Sequence, residues 1–151
     1  MPDIRRAATG DESLLAALEQ ASFSDPWSEK SLRAYLSEPH GLVLLARLEG
    51  KICGYLVSSL LLEEGELLRI ATLPSFRKKG VGRALLTAFK EEAKRGGAKT
   101  LFLEVRKGNT AARSLYESEG FLLLGERKSY YRDPTEDALL YQYTIKYEEM
   151  Q

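Results

Sequence analysis

Apolar positions along the chain follow two rhythms. After Thr9-Gly10-Asp11-Glu12, which reads as a capping box, Leu14, Leu15, Leu18 and Ala21 recur at helical spacing. Asp25-Pro26-Trp27-Ser28 breaks that helix, and Ser28 is placed to cap a short second one reaching Leu36. Residues 3–8, ahead of both, fit a short strand. Apolar runs bounded by turn residues then take over: Leu42–Leu48 and Ile52–Leu62 flank Glu49-Gly50 and predict an antiparallel hairpin. Glu63-Glu64-Gly65 turns the chain into a fourth strand, Glu66–Thr72.

Helical spacing returns after a loop over 73–79. Val81, Leu85, Ala88, Phe89 and Ala93 predict a helix over 81–95, stopped by Gly96-Gly97. Thr100–Val105 reads as a strand and Asn109–Glu119 as a helix ended by Gly120, with two more strands near 121–130 and 138–146. The predicted order is β-α-α-β-β-β-α-β-α-β-β. The fourth strand, its helix and the fifth strand form a crossover unit, so those two strands should run parallel. In such units ligands collect at the carboxyl ends of the strands, where the next helix starts.

Composition narrows the chemistry. A chain of 151 residues predicts one domain over 1–151. With 22 Lys+Arg against 22 Asp+Glu, a general nucleic-acid or membrane-surface binder is not expected. Cys53 and His40 are the only residues of their types, so neither a disulfide framework nor a Cys- or His-built metal site is predicted. No apolar run approaches the roughly 18–20 residues of a membrane span, and no apolar stretch follows the charges of the first six residues. A cytoplasmic protein is therefore expected. Any catalysis must use carboxylates, Tyr, Lys or backbone groups.

The balanced charge conceals a field. Residues 1–76 hold 7 basic and 11 acidic side chains, whereas 77–151 hold 15 and 11. Within 77–107 there are 10 basic residues and 3 acidic ones. Part of that is a solvated helix face, but Arg77-Lys78-Lys79 leads directly into Gly80-Val81-Gly82-Arg83 at the end of the fourth strand. Glycines there let backbone N–H groups approach a ligand, and the new helix adds its positive end, an arrangement that suits a pyrophosphate. The loop lacks the Gly-Lys-Ser/Thr of a nucleotide-hydrolysing P-loop, and a plain turn before a helix remains an alternative.

Arg77-x-x-Gly80-x-Gly82, Leu103-Glu104-Val105 and Asn109-x-x-Ala112-x-x-x-Tyr116-Glu117-x-x-Gly120-Phe121 together resemble the GNAT superfamily of acetyl-CoA-dependent N-acetyltransferases. Pro26-Trp27-Ser28-Glu29, Arg69-Ile70-Ala71 and Tyr130-Tyr131 with Glu136-Asp137-Ala138 are similar to its RimI-type branch, which acetylates the N-terminal alanine of small-subunit ribosomal protein eighteen. The resemblance implies a GNAT-like α/β (α+β) fold. That fold is a mixed, mostly antiparallel seven-stranded sheet, flanked by about four helices, with a parallel, splayed central strand pair. It further implies acetyl-CoA as co-substrate, no metal, a protein N-terminus as acceptor, and a monomer or weak homodimer.

Roles follow residue by residue. The resemblance makes Glu104 the general base and Tyr116 the acid that protonates the departing thiolate. It places the carbonyl-oxygen donor within Ile70-Ala71-Thr72 and sets Arg77, Lys78, Lys79, Gly80, Val81, Gly82, Arg83 and Asn109 against the cofactor. On residue chemistry alone, Glu104 is equally a strand-end carboxylate paired with Arg106 or Lys99, and spacing alone favours a core tyrosine at Tyr116, which the match to Asn-x-x-Ala-x-x-x-Tyr reverses. Trp27 is either the wall of a peptide channel or core. Tyr130 and Tyr131 alternate faces, so at most one meets a given cleft. Glu63, Glu64 and Glu66 offer acidity to a cationic substrate or form a solvated turn. Acceptor alternatives are lysine, a polyamine or another small amine, and a non-catalytic acyl-CoA-binding module is the alternative from another class.

Overall fold

A single seven-stranded sheet, in the order β1-β2-β3-β4-β5-β7-β6, organises the computed structural model, which describes residues 1–147. The strands are β1 (Asp3–Arg6), β2 (Gly41–Leu48), β3 (Lys51–Leu61), β4 (Glu64–Thr72), β5 (Thr100–Arg106), β6 (Leu122–Tyr131) and β7 (Glu136–Thr144). The helices are α1 (Glu12–Ser22), α2 (Glu29–Leu36), α3 (Val81–Arg95) and α4 (Thr110–Ser118). Neighbouring strands are antiparallel except β4 and β5, which run parallel across the α3 crossover. The mixed sheet, its four helices and its parallel central pair are those that the sequence predicts.

Strand alternation divides the core in two. In β5, Leu101, Leu103 and Val105 are buried, while Phe102, Glu104 and Arg106 between them are only partly covered. The first set packs with Val81, Leu85 and Phe89 of α3 and Tyr116 of α4. On the opposite sheet face, Val43, Leu45, Tyr55 and Val57 pack with Leu15 and Leu18 of α1 and Leu32 of α2. Among the described residues, no helix is long and apolar enough to cross a membrane.

Among the boundaries that differ from the sequence reading, three have a clear physical cause. Asp11, not Thr9, is the residue before α1. Its carboxylate accepts from the Ala8 N–H at 2.9 Å and pairs with Arg5 at 3.0 Å, while Glu12 accepts from the Gly10 N–H at 2.7 Å. The β3–β4 turn is Leu62-Glu63, with Leu62 at φ 57°, so β4 starts two residues before Glu66. The partner strand β3 sets this register, because Leu61 pairs with Glu64. The last strand starts at Glu136, where pairing with Tyr131 extends it.

The position of the site is set by a bulge. Val57 pairs with Arg69 but Ser58 with Leu67, leaving Leu68 as the extra residue of β4. The β4–β5 ladder ends at Leu67↔Leu103, although β5 continues pairing with β7 up to Arg106↔Ala138. Beyond Leu67, β4 therefore follows β3, β5 follows β7, and a wedge opens between them. The Leu73 N–H bonds to the Cys53 carbonyl at 2.8 Å. By antiparallel alternation Ala71 also bonds toward β3, which turns the N–H and C=O of Ile70 and Thr72 toward the wedge.

Gly54 makes this geometry possible. A Cβ there would lie 2.8 Å from the Ala71 carbonyl oxygen and 2.9 Å from Val81 Cγ1. Gly54→Ala is expected to destabilise the protein by about 1–3 kcal/mol through overpacking, measured as a lower urea midpoint with unchanged slope.

Candidate active site

The wedge holds a cavity of about 310 Å³ whose wall includes Leu68, Arg69 and Ile70 from β4, Glu104 and Arg106 from β5, Asn109 and Tyr116 from α4's segment, and Tyr131 from β6. Phe23 and Asp25, from the connection between α1 and α2, complete one side. The sequence-predicted pair Glu104 and Tyr116 is thus brought to one cavity from two elements.

Glu104 is poised unusually for a carboxylate. Its Oε2 is buried and is the one such side-chain oxygen or nitrogen without a hydrogen-bond partner among the described residues. Oε1 lies 4.0 Å from Arg127 Nη2, at the limit of an ion pair. Neither partner considered from sequence engages it: Arg106 donates to the carbonyls of Arg132 and Pro134 at 2.9 Å each, and Lys99 pairs with Glu63 at 3.4 Å. A buried oxygen left unbonded is disfavoured by desolvation, so it marks a place where a donor is expected to arrive.

Tyr116 is buried among Phe121 and Tyr141, with ring centroids 6.0 and 6.4 Å away. Burial, and then the nearby Tyr131, push its phenol well above the ordinary range, so it stays protonated throughout neutral pH. Tyr131 itself is pushed up to about 12, first by burial and next by the charge of Glu104. Its neighbour Tyr130 points elsewhere: it is exposed, packs edge-on against Tyr131 and does not line the cavity.

The glycine loop stands past the end of β4. Pro74–Phe76 forms one turn of 3-10 helix, Lys78 (φ 64°) and Gly80 (φ 82°) adopt left-handed conformations, and α3 begins at Val81 without a side-chain cap. Its first-turn N–H groups are therefore open to an anion. Arg77 donates to the Thr72 carbonyl at 3.4 Å, Lys79 pairs with Glu49 at 3.6 Å, and Arg83 with Glu119 at 3.1 Å. Gly82 has a packing reason as well, since a Cβ would meet Leu115 Cδ2 at 2.9 Å. Asn109 caps α4, its carboxamide oxygen accepting from the Ala112 N–H at 3.2 Å.

A second group on the wedge wall was not legible as a site from sequence. Glu19 of α1 is fully buried; it accepts from the Trp27 N–H at 2.7 Å and from the Tyr55 hydroxyl, and lies 3.5 Å from Arg69 Nη2. The Arg69 guanidinium stacks 4.1 Å from the Phe23 ring centroid and donates to the Asp25 carbonyl at 2.8 Å. Trp27 is partly buried behind this group, against Tyr35, and is not on the cavity wall. The available signal was Glu19 itself, a carboxylate four residues after Leu15 on the apolar stripe of a helix.

Alkaline stability follows from the tyrosines. Tyr35, Tyr55, Tyr116, Tyr131 and Tyr141 are all held above the ordinary phenol value, burial being the first cause in each. Above pH about 10 the unfolded chain loses these protons while the folded chain keeps them, so the unfolded state binds fewer protons and stability falls. The urea midpoint should decline from about pH 10 upward, with the phenolate absorbance of these five tyrosines appearing only on unfolding.

Comparison with known proteins places this geometry. The Acetyltransferase (GNAT) family pattern matches residues 13–121. The chain is 36% identical over 142 residues to the [Ribosomal protein bS18]-alanine N-acetyltransferase of Escherichia coli, covering 93% of this chain and 95% of that one. It is also 36% identical over 125 residues to the enzyme of the same name from Haemophilus influenzae, covering 83% and 84%. The crystal structure of the ribosomal-protein-S18-alanine N-acetyltransferase from Escherichia coli superposes with a TM-score of 0.88 at 34% identity, over 99% of this chain and 97% of that one.

Proposed function

The chain belongs to the acetyltransferase (GNAT) family, and from that premise we propose that it moves an acetyl group from acetyl-CoA to the N-terminal α-amino group of a protein, the acceptor being the N-terminal alanine of ribosomal protein bS18. The observation that carries this reading is the unbonded Glu104 Oε2 in the wedge between β4 and β5, with Tyr116 on the same cavity. Acetyl-CoA, when bound, supplies a thioester carbonyl open to attack by an uncharged amine.

The residues present suit that guest. The open N–H groups at the start of α3 would take a pyrophosphate, with Arg77, Lys78, Lys79 and Arg83 adding positive charge around the loop, and the wedge would admit a narrow arm between two strands. An α-amino group has a pKa of about 8, so losing its proton at neutral pH is a modest task, which we assign to Glu104 as base, directly or through one water. The N–H groups of Ile70 and Thr72 turn toward the wedge and are the donors for the carbonyl oxygen as it gains charge. Tyr116 stays protonated and is the donor we assign to the departing sulfur, its proton moving as the thiolate's charge develops. Transfer is direct, with no covalent enzyme intermediate. We assign residues 1–151 to one catalytic domain acting in the cytoplasm, as a monomer or weak homodimer, without direct nucleic-acid or membrane contact.

The test is incubation of purified protein with acetyl-CoA and a peptide carrying the bS18 N-terminus. Thiol release with a mass gain of one acetyl group on the terminal alanine is expected. No release by folded protein would overturn the reading. A kcat/KM favouring free lysine or a polyamine by orders of magnitude would overturn the acceptor alone.

A further inference from the structure

Beside the wedge lies a larger groove of about 890 Å³, walled by Leu61, Leu62, Leu68 and Phe102 and rimmed by Glu63, Glu64 and Glu66. We propose that this groove docks the acceptor chain itself, taking basic and apolar side chains at about the third to fifth residues counted from the acetylated one. The inference rests on the acetylation reading above and names what the acceptor must carry beyond its terminal alanine.

Continuity with the wedge is the first argument. Leu68, the bulged residue of β4, lines both cavities. Phe102 and Glu104 alternate with the buried Leu101, Leu103 and Val105 and so share one face of β5. Two residues of strand separate them by about 7 Å. Glu66 pairs in register with Phe102, and Glu64 with Thr100, which sets the acidic rim about 7 to 14 Å down the sheet from Glu104. An extended chain advances about 3.3–3.6 Å per residue, so an amine at Glu104 brings its third to fifth residues to that rim.

Surface chemistry is the second. Leu62 is 87% exposed, Leu61 51% and Leu68 37%, which is apolar surface left uncovered by the described residues. Among the described residues, no cationic side chain lines the groove. Lys99 reaches Glu63 at 3.4 Å, but both side chains are about two-thirds exposed and hold each other weakly. Glu66, with Glu38, projects its charge inward far enough to add to the burial that raises the Tyr35 phenol. A second copy of this chain fits poorly, because a two-fold contact centred on the groove would set the acidic rim against itself. A foreign cationic segment meets complementary charge.

Two measurements on the whole protein test it. Steady-state kinetics compare Ala-led peptides whose third to fifth residues are Arg and Phe, Gly and Ser, or Asp, alongside a two-residue Ala-led amide, with wild type and Glu64→Lys/Glu66→Lys. Fluorescence anisotropy measures binding of the same long peptides in N-acetylated form, without acetyl-CoA, so that docking is read independently of turnover. Wild type should show a KM about three- to tenfold lower for the Arg/Phe peptide, diminishing with salt, and matching tighter binding. The double variant, with an unchanged thermal midpoint, should lose that preference or shift it to the Asp peptide, with kcat and the short amide unaffected. Equal KM and equal binding across the wild-type series would overturn the proposal, as would a double variant impaired on the short amide as much as on the long peptides. Charge-selective binding with no turnover on any peptide would overturn the acetylation reading while supporting the groove.

Discussion

Glu104→Gln should lower kcat by about 10²- to 10⁴-fold at pH 7 and leave the KM for acetyl-CoA within a factor of about two. Gln keeps the size of the side chain and its place on β5, so the wedge, the glycine loop and Tyr116 are untouched. What goes is the oxygen that can take a proton, the same Oε2 that is buried without a partner. The variant then depends on the small fraction of acceptor amine that is already neutral in solution. Its residual rate should rise about tenfold per pH unit from pH 6 and level off near pH 8, where an α-amine titrates. Wild type should show a shallower rise over that range. Thiol release followed against pH for both proteins checks this. A loss smaller than about threefold, or identical pH profiles, would remove the general-base role from Glu104.

Much of the frame was legible because it rests on local rules. The alternation of Leu101, Leu103 and Val105 gave β5 its two faces, the Val81–Ala93 spacing gave α3 its buried stripe, and Ser28 caps α2 through the Ser31 N–H at 3.0 Å as its position before Glu29 suggests. Alternation allowed at most one of Tyr130 and Tyr131 at a given cleft without choosing between them; in the structure Tyr131 is the one on the cavity wall. What was not legible depends on partners distant in sequence. The start of β4 is fixed by pairing with β3, and the bulge at Leu68, which opens the wedge, has no local signature. The three-residue stretch Ile70-Ala71-Thr72 could be named as strand but not divided; only the Leu73–Cys53 bond tells which two residues face β5. Glu19 is the clearest case: a carboxylate in a short amphipathic helix reads as solvated until Tyr55, Trp27 and Arg69, from β3, the α1–α2 connection and β4, are seen to converge on it.

That convergence predicts the largest loss of stability by a single side chain. Glu19→Ala should lower the free energy of unfolding by about 3–5 kcal/mol, as when one member of a buried, hydrogen-bonded charge pair is removed. The fully buried Tyr55 hydroxyl loses its carboxylate, the Trp27 N–H loses its acceptor, and the Arg69 guanidinium keeps Asp25 as its polar partner beside the Phe23 ring. At about 2–4 °C per kcal/mol for a chain of this size, the thermal midpoint should drop by roughly 6–20 °C. Glu19→Gln, which retains an acceptor oxygen, should lose less. Glu19→Ala/Arg69→Met should recover part of the loss, because the stranded cation goes with the carboxylate and an apolar chain takes its place beside Phe23. Activity separates this from general loosening. Phe23 and Asp25 wall the acceptor side of the wedge and are held there through Arg69, whereas none of the glycine-loop residues contacts Glu19 through a hydrogen bond or ion pair among the described residues. At a temperature where Glu19→Ala is folded, the acceptor KM should therefore rise while the acetyl-CoA KM holds. A midpoint within about 3 °C of wild type, or equal rises in both KM values, would show that the α1–α2 connection is held in place by its apolar packing alone.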